Sequence, residues 1–564
     1  MKFLTTRVFA LGLLCFSSIA FTNELPVYDL VIQNAKVYDG TGAAPQSISI
    51  AINGDRVVAH LPTNAKFSAK KIVDAKQQAL APGFINMLSW ATESLIVDGR
   101  GQSDLRQGIT LEVFGEGWSM GPLNPAMKKE AVEQQGDFHY DIAWTRLSEY
   151  LEYLQERGIS MNVASLVGAT TVRIHELGYE NRAPNAEELK RMQALVRQAM
   201  EEGALGVGAS LIYAPAFYAK TDELIALTQT ASEYGGGYMA HMRSEAYRLN
   251  ESLEELIAIA RQANTHAEAY HLKAAGKDNW PKMAQAIAQI EKARAEGLSV
   301  SANMYSYIAG ATGFDAAMPP WVQEGGFDAW VKRLKDPKIR AKVLQEIRTP
   351  TNAWENLYLM AGAEGTKLIG FKTDKLKPLT GKTLAEVSKM RGTSPEETMI
   401  DLIIEDHTRI EVVYFLMSED NVRLGLKQPW VSLGSDAQAA APEGVFLKSS
   451  THPRAYGTFA RFLGHYVRDE KLTTLEDGIY RLTGLPAKNW KLRNRGCLAV
   501  GCYADLVLFD PSKIQDHATF DKPQQFSTGV NEVWVNGVQV LQNGEPTDAR
   551  PGQVVRGPGW LGWK

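Results

Sequence analysis

The chain has 564 residues, of which 45% are hydrophobic and 22% charged, and a formal net charge of −4. This is ordinary globular composition, with length enough for a large core. The negative balance, with no basic patch interleaved with aromatics, argues against nucleic acid as a partner, and beyond the N-terminus no run reaches the roughly 18 apolar residues of a membrane span.

The first stretch, MKFLTTRVFALGLLCFSSIA, has Lys2 and Arg7 followed by an apolar run from Val8 to Ala20. Ser18-Ile19-Ala20 fits a small-x-small cleavage site, so residues 1–20 read as a secretory signal peptide and the mature protein as periplasmic. A lipoprotein reading at Cys15 is weaker, because Leu14 stands where a small residue is expected. Residues 27–80 then alternate in short runs (VYDLVIQNAKVYDG, SISIAINGDRVVAHL, KKIVDAKQQALAPG) separated by Gly, Asn and Asp. The C-terminus reads the same way in GCYADLVLFDP, NEVWVNGVQVLQNGE and GQVVRG. Residues 21–82 and 491–564 are therefore expected to form one composite β-sandwich.

The middle of the chain alternates strand and helix. PGFINML, GITLEVFG, MNVASLVG, GALGVGAS, GGYMAHM, AEAYHLK, LSVSANMYSY and WVSLGSD are eight strand candidates. Amphipathic runs such as AEELKRMQALVRQAMEEG lie between most of them. The fold class is thus α/β, a (β/α)8 barrel over residues 83–490. The interval 308–428 is too long for one loop and reads as a subdomain inserted before the last strand. Whether its IEVVYFLM segment (410–417) joins the barrel is open.

Three of these strands end in side chains that carry chemistry. GGGYMAHMRSEA (235–246) delivers His241, AEAYHLKAAG (267–276) delivers His271, and PWVSLGSDAQA (429–439) delivers Asp436. One His at a strand end is more often structural than a ligand. Two on successive strands, with an Asp on a third, favour a zinc shell with a base beside it at the mouth of a parallel barrel. After the signal two Cys remain, Cys497 and Cys502 in RGCLAVGCYAD. Export allows a disulfide, the spacing suits a tight turn equally, and neither has a catalytic setting.

APGFI, GALGVGASLIYAP, YMAHMRSEA, HLKAAG, GSDA, HPRAYGTFARFLGHYVR and GCYADLVLFDP, taken in order, resemble the N-acyl-D-amino-acid deacylases of the amidohydrolase superfamily, from about residue 28 to residue 557. The resemblance implies a metal-dependent barrel. The superfamily's first strand usually carries D-x-H-x-H after PGFI; here those positions are Asn86, Met87, Leu88, Ser89 and Trp90, and neither Leu nor Trp ligates a metal. Where the family has a bridging Cys, the turn FGEGWSMGP places Glu116, with Glu112 as the fallback. A further Gly-His pair reads Gly168-Ala169.

The resemblance therefore implies one zinc per chain, held by Glu116, His241 and His271. Asp436 becomes the general base and later acid. Arg454 is the expected fork for the substrate's free carboxylate, with Lys273 on the same rim and Tyr305 and Tyr307 as further donors. Arg243 and Glu245 are expected to orient His241, and Tyr213 to pack. The substrate is a small molecule, an N-acyl amino acid. A cyclic amide, lactone or dipeptide, or a catalytically silent binding role, stand as the alternatives.

Overall fold

The structure is a computed structural model that describes residues 25–563; the expected signal peptide lies outside the described residues. Eight parallel strands make the barrel. They are β1 (Phe84–Asn86), β2 (Ile109–Phe114), β3 (Asn162–Ser165, continued by Val167–Gly168), β4 (Gly206–Ser210), β5 (Gly237–His241), β6 (Ala267–Ala269), β7 (Val300–Met304) and β8 (Val431–Leu433). Each pairs in parallel with the next. A parallel bridge between Ser89 and Ala437, with Met87 N–H donating to the Leu433 carbonyl at 3.1 Å, joins β1 to β8 and closes the ring. Every residue of β2 is buried, because side chains on one face fill the barrel and those on the other meet helices. The helix Ala186–Glu201 shows how the outer layer forms. Asn185 and Glu188 close a capping box at its start, and Met192, Val196, Ala199 and Met200 turn one stripe inward.

The two ends of the chain meet in a second body. Ala79–Pro82 pairs antiparallel with Leu506–Phe509, and the other seven strands of this nine-stranded sheet follow on either side. The strands of this composite β domain, expected from both termini, are joined in one continuous hydrogen-bonded sheet. The strand Val27–Val37 pairs with Ser68–Asp74 along its first part and with Ala79–Pro82 at its end. The sheet keeps its own small core, including Leu30, Ile32, Ile50, Val57, Leu506 and Trp534.

Two parts of 491–564 leave this sheet. GQVVRG bridges the barrel instead, Val554 to Val163, and Gly552 and Gly557 donate to the carbonyls of Ile159 and Gly203 just before β3 and β4. Val555 is buried against the barrel's N-terminal rim and Val554 is half-buried. Residues 516–524 run the other way and reach the mouth, where Gln524 lines the cavity. Cys497 and Cys502 form a disulfide.

The inserted segment has its own antiparallel sheet of Gly310–Gly313, Thr366–Gly370 and Glu411–Tyr414. IEVVYFLM therefore belongs to the insert, not the barrel. Among the described residues no helix is long and apolar enough to cross a membrane.

Candidate active site

A cavity of about 750 Å³ opens at the C-terminal ends of the strands, roofed by the insert. That is the size range of small-molecule sites. Glu116 reaches it through a tight turn after β2. Gly115 and Gly117, with φ of 105° and 74°, fold the turn inward across β3 and β4. A Cβ on Gly208 would lie 1.8 Å from the Gly115 carbonyl oxygen, and one on Gly168 would lie 2.2 Å from that of Gly117. Only glycines at these contacts let the turn lie close enough to aim Glu116 at β5 and β6.

There the Glu116 Oε1 stands 2.8 Å from His271 Nε2 and 3.3 Å from His241 Nδ1. All three side chains are buried, and one ligand atom from each lies within 4.8 Å of the others. His241 Nε2 has no hydrogen-bond partner. A buried N₂O donor set, with His271 Nε2 and His241 Nδ1 converging on one carboxylate oxygen, fits a zinc ion. The electrostatics agree. Burial opposes ionisation of Glu116, but His271 and His241 hold its carboxyl far below the usual range. Burial and the Lys273 ammonium oppose protonation of His271, yet Glu245 and Glu116 outweigh them and raise it to about 9. The same negative surroundings suit a divalent cation, which would take the place of that proton.

Glu245 binds the cluster from behind. Its Oε1 is 2.9 Å from His271 Nδ1, and its Oε2 is 3.4 Å from His241 Nε2 and accepts from Lys273 Nζ at 2.6 Å. Burial works against the charge on Glu245, but Lys273 and the two His keep it ionised. Glu355, from the insert, accepts the Glu245 backbone N–H at 2.8 Å. Lys273 therefore corrects the sequence reading. It lines the cavity, but its ammonium is committed to Glu245 and sits 2.8 Å from His271 Nδ1, rather than free on the rim for a substrate carboxylate.

Opposite stands Asp436, in a left-handed conformation (φ 51°) just past β8. Its N–H donates to the Leu88 carbonyl at 2.8 Å. Its Oδ2 lies 2.7 Å from Arg454 Nη1, both groups being buried. Burial raises the Asp436 carboxyl above its ordinary value and Arg454 opposes the rise. His452 fixes Arg454 by accepting its backbone N–H, while Arg454 Nη2 donates to the Ala311 carbonyl at 3.2 Å. The guanidinium lies 4.7 Å from the centre of the Tyr305 ring, and its Nε has no hydrogen-bond partner. The Tyr305 hydroxyl donates to Met417 Sδ at 3.5 Å, a weak acceptor that a stronger one in the cavity would displace.

Three other expectations are corrected. Tyr307 does not line the cavity; its hydroxyl donates to Asp516 at 3.0 Å and braces the helix Arg454–Arg461 from below. Arg243 turns away from His241 to a two-point pair with Glu255, both contacts at 2.9 Å. Glu112, the fallback ligand, is sealed in the barrel with Asn86, 2.9 Å away, and burial pushes it up to about 7. Tyr213 packs as expected, edge-on to His241 with its hydroxyl 2.8 Å from Thr312 Oγ1. The bond missed from sequence is that of Trp90, whose indole N–H donates to Glu116 Oε2 at 2.8 Å. Its signal was present as the aromatic that replaces a family ligand.

The chain is similar in sequence and fold to known proteins. Over 532 residues the chain is 30% identical to the D-aminoacylase of Alcaligenes xylosoxydans xylosoxydans, covering 94% of this chain and 97% of that one. It superimposes on a D-aminoacylase studied for its binuclear metal centre, with one-metal activation and second-metal attenuation (TM-score 0.77, 30% identity, 94% and 100% of the two chains). It also superimposes on the N-acyl-D-glutamate deacylase of Bordetella bronchiseptica, complexed with zinc and a phosphonate mimic of the tetrahedral intermediate (TM-score 0.76, 28% identity, 94% and 100%). Residues 110–541, from the second barrel strand to the C-terminal sheet, match the Amidohydrolase family, and the chain belongs to that family.

Proposed function

We propose that this protein is a zinc-dependent amide hydrolase that removes the acyl group from N-acyl amino acids of the D series. The observation that carries the reading is the meeting, in one cavity, of a buried two-histidine, one-carboxylate cluster with the Asp436–Arg454 pair. The names of the similar enzymes supply the substrate class and its D configuration.

Glu116, His241 and His271 would hold one zinc. The chemistry it would supply there is that of a Lewis acid for the scissile carbonyl and the attacking water. Asp436 takes a proton from that water and delivers it to the leaving nitrogen as the C–O bond forms and the C–N bond breaks. Arg454 offers its fork to the substrate's free carboxylate, exchanging one carboxylate partner for another. Tyr305 donates its hydroxyl proton to the oxygen on which charge develops. Glu245 and Lys273 orient His271 rather than touch substrate.

The test is hydrolysis of paired N-acyl-D- and N-acyl-L-amino acids by the purified protein, with zinc measured on the same sample. Release of free D-amino acid by a zinc-containing protein is the expected result. A zinc-loaded protein that opens cyclic amides and leaves open-chain acyl amino acids intact would refute the substrate class. Export to the periplasm is part of the proposal, supported by the character of residues 1–20 and by a disulfide that suits an oxidising compartment. N-terminal sequencing of exported protein should begin near residue 21.

A further inference from the structure

In the barrel ring β1 lies between β8 and β2. The tip of β1 therefore sits between Asp436, just past β8, and Glu116, just past β2. A second cation bridging those two carboxylates would have to stand over this tip. Two side chains occupy it. Leu88 is buried in the apolar cluster with Met239 and Tyr270, and its Cβ is so close to Gly434 that a Cβ there would sit 2.6 Å away. Trp90 packs against the same cluster and lines the cavity. Its backbone is fixed as well, the N–H donating to the Ala437 carbonyl at 2.9 Å.

The indole of Trp90 divides the Glu116 carboxylate. Oε2 accepts the Trp90 N–H at 2.8 Å, while Oε1 faces both histidines. An indole N–H donates only and offers no lone pair to a metal. We propose that Trp90 is a positioning residue that makes Glu116 a one-oxygen ligand and, with Leu88, closes the place a second metal would take. The indole then does for Oε2 what a second cation would do in a bridged pair: it neutralises part of the charge and fixes the carboxylate plane, without adding a metal. This rests on the zinc site proposed above.

The test titrates metal-free protein with zinc against a chromophoric chelator, and records the cobalt(II) absorption spectrum of each variant. Wild type should take up about one equivalent. Trp90→Phe keeps the bulk and drops the N–H. It should still bind one zinc, but roughly 10- to 100-fold more weakly, the usual cost of losing a partner behind a ligand. Its cobalt spectrum should change, because Glu116 is free to swing. The double variant Leu88→His with Trp90→His should take up a second equivalent. Should Trp90→Phe fail to fold, ¹⁵N-tryptophan-labelled wild type answers the question: the Trp90 indole N–H resonance should shift on saturation with zinc. A wild type that binds two zinc ions tightly overturns the exclusion. Unchanged affinity and cobalt spectrum in Trp90→Phe, or an unmoved Trp90 resonance, overturns the positioning role while the site stands. A wild type that binds no zinc overturns the zinc site itself, and this inference with it.

Discussion

Arg454→Ala should damage the enzyme in two separable ways. The first is loss of the substrate anchor. A charge-assisted hydrogen bond to a carboxylate contributes about 1.5–3 kcal/mol, which corresponds to a roughly 10- to 150-fold rise in KM. The second follows from the 2.7 Å contact with Asp436. Burial lifts the Asp436 carboxyl and Arg454 restrains it, so removing the arginine lets it rise further. Asp436 accepts a proton only when ionised, and activity is lost as pH falls through its pKa. The acid limb of the kcat/KM profile, which reports the free enzyme in which Arg454 still faces Asp436, should therefore move to higher pH in the variant. Steady-state kinetics across pH, on a free-acid substrate and its carboxamide, separates the two effects. The carboxamide never used the anchor, so its KM should be nearly indifferent to the substitution, whereas the displaced acid limb should appear with both. Equal KM penalties on both substrates would refute the anchor, and an unmoved acid limb would refute the coupling of Arg454 to the base.

His241→Ala and His271→Ala should each lose zinc and turnover while keeping wild-type circular dichroism, since each removes a ligand from a preformed barrel; elemental analysis decides the case, and full zinc occupancy in either would unseat the ligand assignment. Asp436→Asn should retain zinc and lose on the order of 10²–10⁴ in kcat, the usual contribution of general acid–base catalysis. Loss of zinc in that variant would show Asp436 to be a ligand instead. Gly208→Ala places a Cβ where only 1.8 Å separates it from the Gly115 carbonyl oxygen, so the Glu116 turn must lift. Overpacking of this kind typically costs about 1–3 kcal/mol. Zinc affinity should fall well beyond what the lowered melting temperature reports, and unaltered affinity would show that the turn does not set the position of Glu116.

The barrel was legible because short apolar runs bounded by turn residues alternate with amphipathic helices, the pattern of parallel strands buried on both faces. His241, His271 and Asp436 were legible for a related reason: barrel strands end at one mouth, so a polar residue at a strand end is placed by topology; Glu116, in a turn beyond its strand, was reached only through the family resemblance. What failed lies one or two residues further on. Lys273 follows His271, whose φ of 33° breaks the extended geometry, so alternation no longer says where the next side chain goes. Tyr305 and Tyr307 look like one face of a strand, but β7 ends at Met304 and the two diverge, one to the cavity and one to Asp516. Glu355 meets the Glu245 backbone across 110 residues of sequence, a contact with no local signal at either end. GQVVRG has a strand's alternation, and only the folded barrel shows which partner covers it.

The charge inventory of the mouth also favours a single metal. Three buried carboxylates, Glu116, Glu245 and Asp436, face two permanent cations, Lys273 and Arg454. With the imidazoles neutral, as ligation requires, these five groups together carry one excess negative charge. One divalent ion turns that into one excess positive charge, which a substrate carboxylate then cancels. Two divalent ions would leave a surplus of two positive charges even with substrate bound, in a site where Coulomb terms are several-fold stronger than in water. The same count explains why Asp436 is paired with Arg454 rather than held for a metal. It also shows why replacing a first-strand histidine pair by Leu88 and Trp90 leaves no unbalanced carboxylate behind: Glu116 Oε2 passes to the indole, and Asp436 passes to the guanidinium. Removing Arg454 breaks that balance, and it does so at the catalytic base.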